Sequence, residues 1–192
     1  MTPIFKMSNA GGMDATLNRY SDMLAGNTVY NPSSYYSIAT QTVGSGGASS
    51  VTFSSIPSTY THLQIRMFEF ESTTGINPLI KFNGDTANNY SWHFIYGNGS
   101  SANGVSSASY GGLLMDQVQS TTYPNVAIID ILDYANTNKY KTARWLQGYD
   151  KNGSGQISFW SGNWRNTNAI TSITISDPTF TSGTQFALYG VN

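Results

Sequence analysis

The sequence contains no cysteine and few charged residues. Asp, Glu, Lys and Arg together make up 10% of its 192 residues, against about 25% in an ordinary soluble domain. The absence of cysteine excludes disulfides and thiolate metal sites. Two long stretches carry no charge, one between Asp22 and Arg66 and one between Asp85 and Asp116. Because the aromatic content is nevertheless 14%, we expect a folded chain whose surface consists mainly of hydroxyls and amides.

Charge and the length of the apolar runs argue against two classes of partner, nucleic acid and membrane. The formal net charge is −1, and Lys and Arg are scattered singly along the chain, whereas nucleic-acid binding draws most of its affinity from clustered positive charge. No stretch approaches the roughly 20 apolar residues of a membrane span, and no continuous apolar segment follows residues 1–6. We therefore expect no nucleic-acid partner, no membrane insertion and no secretory signal.

Residues 1–31 differ in pattern from the rest. Asp14 is a candidate N-cap, Gly26-Asn27 is a candidate stop, and the intervening apolar residues predict a short helix over about 15–25. The apolar stripe of this N-terminal arm consists of Met13, Leu17, Tyr20 and Leu24. One interpretation is that the stripe covers an end of its own domain. The other is that it docks the chain onto another protein.

The body, residues 32–192, shows the same sequence pattern throughout. Short β-rich runs alternate with Gly, Asn and Ser turns, which predicts an all-β fold: an antiparallel β-sandwich, jelly-roll-like, joined to the helical arm. The predicted strands are 35–43, 50–54, 62–70, 78–82, 90–96, 112–115, 125–132, 141–149, 156–160, 170–175 and 185–191.

Several sequence features resemble catalytic or metal sites only in part. Residues 150–155 copy the first half of a calcium loop, but Ser161 stands where the closing Glu belongs, so a hairpin turn is favoured. No serine lies in a G-x-S-x-G elbow. The two glutamates, Glu69 and Glu71, share one face of one strand end, unlike the opposed carboxylates of a glycosidase. We expect no enzyme, no catalytic residue, no metal and no cofactor.

Aromatic residues give two further expectations. Tyr90, Trp92, Phe94 and Tyr96 alternate along one strand, and a core face is favoured over an exposed platform for sugar rings. Three other rings flank turns and are the candidates for an exposed contact with a glycan or a protein partner. These are Tyr149, Trp160 and Trp164.

Four segments carry a resemblance to a known group of proteins. They are residues 18–27 (NRYSDMLAGN), 51–57 (VTFSSIP) with the following Tyr60 and 62–66 (HLQIR), 131–142 (ILDYANTNKYKT) and 186–190 (FALYG). In these segments the chain resembles tailed-bacteriophage virion structural proteins, a tail-fibre-like or head-associated β-sandwich family. The resemblance implies a place on a phage particle and brings no catalytic residues with it.

From these observations we expect a non-enzymatic virion structural protein, made in the host cytoplasm and displayed on the exterior of the particle. It would be a fibre-like module, docked through its arm onto capsid or tail proteins, with a host surface glycan as a further candidate partner. A homo-oligomer is expected, and a trimer is one form of it. Two alternatives stay open, a capsid decoration (cement) protein and a carbohydrate-binding module. The sequence does not distinguish head from tail.

Overall fold

A computed structural model describes residues 34–71, 75–117 and 122–192, without the side chains of residues 177–179. The chain divides into two units, Met1–Ser34 and Tyr35–Asn192, and the description below concerns the second. The predicted arm, its helix and its stripe of Met13, Leu17, Tyr20 and Leu24 lie outside the described residues. The predicted division at residue 31 therefore stays a prediction.

The described body contains twelve β-strands. They are β1 (Tyr35–Thr42), β2 (Ala48–Phe53), β3 (His62–Glu69), β4 (Leu79–Phe82), β5 (Tyr90–Gly97), β6 (Ala102–Tyr110), β7 (Leu113–Leu114), β8 (Asn125–Leu132), β9 (Lys141–Asp150), β10 (Gly155–Trp164), β11 (Ile173–Phe180) and β12 (Gln185–Val191). Turn residues separate them as the composition predicts, and Asn83, Asn152 and Gly153 adopt positive φ in two of the turns.

The strands form two antiparallel sheets. The larger has eight strands in the order β1-β12-β3-β8-β9-β10-β5-β6, and the smaller has four in the order β2-β11-β4-β7. In the larger sheet β8, β9 and β10 are consecutive neighbours, joined by short connections. The register is continuous across β3, β8, β9, β10 and β5, so that side chains of these strands line up in rows.

Side chains from both sheets contribute to one buried core. Phe82 of the smaller sheet packs against Tyr90 and Trp164 of the larger one, with ring centroids 6.2 and 5.6 Å apart. Phe180 and Phe186 meet in the same way at 5.2 Å. Aliphatic residues of β3 and β8 fill the remaining space, because every second residue of these strands faces inward.

The all-β prediction is confirmed for the described residues, which contain no helix. Each predicted strand overlaps an observed one, but β6 was not among the predictions. The expected core position of the β5 aromatics is confirmed for Tyr90 and Trp92, which are buried, and Phe94 packs against the core while partly exposed.

Candidate functional site

The outer face of the larger sheet is the surface turned away from the core, and its centre is apolar. Three rows of side chains cross it in register. The glycine row is Phe68, Val126, Gly148, Ile157 and Gly97. The apolar row begins with Arg66 and continues with Ile128, Leu146, Phe159 and Ile95. The polar row is Gln64, Asp130, Arg144, Ser161 and His93.

The apolar side chains of the first two rows are open to solvent. Ile95 is 65% exposed and Ile157 is 58% exposed, and the other five lie between 42% and 48%. Those five are Phe68, Val126, Ile128, Leu146 and Phe159. Singly exposed apolar residues are normal, but a contiguous patch of this kind marks a binding surface in soluble proteins.

A groove of ≈ 670 Å³ runs along this face over β3, β8, β9 and β10. Gly148 lies between Val126 and Ile157 in the glycine row, so its missing side chain opens the groove floor. A Cβ at Gly148 would lie 2.7 Å from the Gln156 carbonyl oxygen, a distance that real Cβ atoms do not adopt. Glycine at 148 is therefore required by the close approach of β10, and the groove follows from it.

Hydrogen bonds fix the side chains where the groove borders the polar row. Gln64 Nε2 donates to Asp130 Oδ1 at 2.9 Å, and Arg66 Nε donates to Gln64 Oε1 at 3.0 Å. The Arg66 guanidinium also lies over the rings of Tyr189 and Tyr35, at 5.0 and 5.5 Å from their centroids. These contacts fix Arg66 along the sheet surface, so it borders the apolar centre without covering it.

The far end of the groove meets a buried polar network. Gln147 and Asp116 exchange two hydrogen bonds of 3.0 Å through the Asp116 backbone, and Gln156 Nε2 donates to Asp116 Oδ2. Burial raises the pKa of Asp116, although hydrogen bonds from Ser158, Gln156 and the Gln117 backbone act against this. The network holds the start of β10 against the end of β9.

Of the three rings predicted to be exposed, two are buried. Trp160 and Trp164 are each 1% exposed, so that prediction is wrong for both. The reason is stacking: Trp160 lies between Phe94 and Trp145, with centroids 3.7 and 5.3 Å away, and Trp164 stacks on Tyr90 at 6.1 Å. Neither ring is accessible to a glycan. Tyr149 remains partly exposed at the groove edge, and burial raises the pKa of its hydroxyl.

Residues 150–155 form the predicted hairpin turn between β9 and β10. Gly153 N donates to Asp150 Oδ1 at 3.0 Å, and Lys151 N donates to the Ser154 carbonyl at 2.7 Å. These contacts use Asp150 to close the turn. Across residues 34–71, 75–117 and 122–192, no group of three or more His, Cys, Asp or Glu side chains is placed to hold a metal ion.

The two glutamates lie in the interior and away from the groove. Glu69 and Glu71 are 0% and 1% exposed, and Asn125 Nδ2 donates to Glu69 Oε2 at 3.2 Å. His62, the first residue of β3, accepts a hydrogen bond at Nδ1 from Asp133 N at 2.9 Å. These polar residues therefore contribute to the packing of the body, and none of them lines the outer groove.

The apolar outer face is the feature that the sequence analysis missed. The signal was present in β8, where Val126 and Ile128 alternate with the buried Ala127 and Ile129, so that both faces of the strand are apolar. A strand that is apolar on both faces is typical of a sheet that is covered by protein on both sides.

No family model, curated protein or solved structure matches this chain. In the described part of the chain, no helix is long and apolar enough to cross a membrane.

Proposed function

We propose that this protein is a non-enzymatic structural component of a larger assembly and that it acts through protein–protein contact. The observation that carries the proposal is the apolar outer face of the eight-stranded sheet, with seven large apolar side chains at least 42% exposed. Exposing such a surface carries an aggregation risk for a free monomer, whereas a subunit of an assembly gains from burying it.

The assembly proposed is a tailed-phage virion, with this chain on its exterior. The resemblance of residues 18–27, 51–57 with Tyr60 and 62–66, 131–142 and 186–190 to phage virion proteins motivates this assignment. The low charge and the strand-rich body agree with it, since a displayed module needs solubility and stability but no catalytic cleft. A fibre-like module is the first form of the proposal, and a capsid decoration protein is the second.

The strand order supports a jelly-roll sandwich as the body of this module. When the neighbouring pairs β5–β6 and β9–β10 are set aside, eight strands remain, and these can be renumbered in chain order. The larger sheet then reads 1-8-3-6 and the smaller reads 2-7-4-5, which is the order of a jelly roll. Jelly rolls are common in viral capsids and in lectins, so the fold favours the virion assignment by analogy only.

The experiment that tests the virion assignment is quantitative mass spectrometry of purified particles from the phage that encodes the chain. We expect the protein in particles that have been banded and washed, at a fixed copy number. A small multiple of three or six per particle supports the fibre, and hundreds of copies support the decoration protein. Absence from intact particles, with presence in the infected-cell lysate, would contradict the proposal.

The arm, residues 1–31, is proposed as the segment that attaches the module to its virion partner through Met13, Leu17, Tyr20 and Leu24. Burying four such side chains contributes up to about 1.5–3 kcal/mol each, enough to decide attachment. Deleting residues 1–30 is expected to give a folded, soluble β domain that no longer enters particles. A truncated protein that unfolds or aggregates would show instead that the arm completes the core of its own domain.

A carbohydrate-binding module remains the alternative, and one observation bears on it. Tyr149 lines the groove beside Gln156 and Asp150, a combination of ring, amide and carboxylate that suits a sugar. Binding of the isolated protein to a glycan array, abolished by Tyr149→Ala and unchanged by substitution of Tyr140 on the exposed β8–β9 connection, would favour this alternative.

A further inference from the structure

The centre of the larger sheet lies between β8 and β9, with four strands on either side. A two-fold axis placed there, parallel to the strands and just above the outer face, would lay a second copy of the sheet on the first. It would set β8 on β9, β3 on β10, β12 on β5 and β1 on β6, so that every strand is covered. No other axis parallel to the strands gives this complete overlap.

The side chains that this axis brings together are complementary. Because the rows are continuous across the sheet, each residue of β8 meets its own row partner on β9 of the other copy. Val126 would enter the gap left by Gly148. Ile128 would lie on Leu146, and Asp130 would face Arg144.

The outer strands give matching pairs of the same kind. Phe68 of β3 would lie on Ile157 of β10, both apolar and exposed, and Ala187 of β12 would lie on Ile95 of β5. Aligned sheets cross at about 30°, which shifts these outer pairs more than the pairs of β8 and β9. The central contacts therefore depend least on the crossing angle.

The charge of the face permits self-association. Arg66 and Arg144 are the basic residues of the rows and groove, and they are balanced by Asp130 and Asp150. A face whose formal charges sum to zero has no net repulsion from a copy of itself, and it offers little electrostatic attraction to an acidic or a basic partner. An apolar centre with a polar rim is also the usual anatomy of a protein interface.

The area of the face is sufficient for a stable dimer. Eight strands spaced 4.8 Å apart and eight residues long give a face of about 38 by 27 Å, or 1000 Å². A standard interface needs about 800 Å² from each partner. Two sheets packed face to face at about 10 Å would bury the groove and the seven apolar side chains together.

We infer that the outer face of the larger sheet is a self-association surface and that its occupant is the same face of a second copy, related by a two-fold axis between β8 and β9. This inference does not rest on the virion assignment. It names a surface and a symmetry for the expected homo-oligomer, and the two-fold axis makes the unit a dimer.

The test uses the full chain, whose lack of cysteine allows clean thiol chemistry. Sedimentation equilibrium is expected to give a dimer. Leu146→Lys places two charges at the centre of the contact and is expected to weaken dimerisation at least about 100-fold. The matched control is Tyr140→Lys, since Tyr140 is 53% exposed on the β8–β9 connection outside the three rows, and it should leave the dimer intact. Circular dichroism and melting temperature establish that both variants are folded.

Cross-linking tests the symmetry. Phe68→Cys with Ile157→Cys places two thiols on strands of one chain that lie three strand spacings apart, about 14 Å. A bis-maleimide that spans about 8 Å cannot join them within a chain, but it can join them across sheets that face each other at 10 Å. We expect a covalent dimer from the double variant and little from either single variant, whose own two copies would lie too far apart.

Each remaining outcome counts against the inference. A monomer at all concentrations would show that no second copy covers the face, and a trimer would exclude the two-fold contact. A dimer that survives Leu146→Lys, or that fails to cross-link through the double variant, would place the interface elsewhere. None of these results bears on whether the chain is found in particles, so the virion assignment can fail or stand separately.

Discussion

At the scale of single residues, Asp85 provides the hydrogen-bond acceptor for the buried indole of Trp164. Trp164 Nε1 donates to Asp85 Oδ2 at 2.8 Å, Asn89 Nδ2 donates to the same oxygen at 2.8 Å, and Ala87 N donates to Oδ1 at 2.9 Å. Desolvation by burial acts to raise the pKa of Asp85, but these hydrogen bonds outweigh it, and the pKa lies below its usual value of 3.8.

Asp85→Ala is expected to destabilise the protein by about 1–3 kcal/mol at pH 7, because the buried indole of Trp164 loses its acceptor. A lowered carboxyl pKa contributes stability that is present above pH 3.8 and is lost as the pH falls through the folded-state pKa. The acid limb of the stability curve should therefore be shallower in the variant. Denaturant unfolding at pH 7, 4 and 3 measures both effects.

Asp85→Asn is the matched control for that experiment. It cannot ionise, but it keeps an oxygen that can accept from Trp164. We expect a smaller loss at pH 7 than in the alanine variant and an equally shallow acid limb. A wild-type acid limb in both variants would show that Asp85 does not contribute to acid sensitivity.

Lys141 is a second buried polar residue, 1% exposed at the start of β9. Its ammonium donates to the carbonyl oxygens of Asn136, Lys139 and Thr167, the last two at 3.0 and 2.9 Å. Burial lowers the pKa of Lys141, and the nearby Lys139 acts in the same direction. The three carbonyls compensate the ammonium for the water that it loses, and they tie the β8–β9 connection to the segment after β10.

Lys141→Met keeps the apolar stem and removes the three donors, so we expect a loss of about 2 kcal/mol in the free energy of unfolding. Lys139→Met is the control, because Lys139 is 54% exposed and its ammonium contacts the half-buried Asp133. Exposed ion pairs contribute at most about 1 kcal/mol. Chemical denaturation of the two variants side by side gives the comparison, and equal losses would contradict the role assigned to Lys141.

At the scale of strands, alternation could be predicted from the sequence, but its direction could not always be. In β10, Ile157 and Phe159 alternate with Ser158 and Trp160, but the first two are exposed and Trp160 is buried. The ring of Trp160 determines which face of β10 is buried, since it buries the most area and stacks on Phe94 and Trp145. β6 was missed because Ala102–Tyr110 is rich in Ser and Ala and is paired on one side only, by β5.

The contact between β10 and the smaller sheet depends on Gly162. A Cβ at this position would lie 2.6 Å from Leu113 Cδ2 of β7 and 3.1 Å from the Trp145 ring. Gly162→Ala is therefore expected to destabilise the body by about 1–3 kcal/mol through overpacking. Gly104→Ala in β6 is the control, because a Cβ there meets nothing closer than 3.6 Å and should change stability by less than about 0.5 kcal/mol. Thermal melts followed by near-UV circular dichroism measure both.

At the scale of the whole molecule, the sequence predicted the class of fold well and the binding surface poorly. The all-β body follows from local patterns, such as the alternation in β8 and the turn at residues 150–155. The outer face does not, because it forms only when Val126, Leu146 and Ile157 are brought together from three strands. Register across strands is a tertiary property, and the sequence of one strand does not contain it.

A two-fold dimer has a consequence for the stability of the entire chain. When folding is coupled to association, each tenfold increase in protein concentration favours the native dimer over the unfolded chains by 2.303RT per dimer, and the melting temperature rises. With typical unfolding entropies for a chain of this length, the expected rise is about 2 °C per tenfold. Differential scanning calorimetry over a hundredfold range of concentration should show this in the wild type and in Tyr140→Lys. Leu146→Lys should show a smaller rise over the same range, because its weakened association leaves more of the folded protein monomeric. A wild-type melting temperature that does not change with concentration would mean that the outer face is not covered by a second copy of this chain.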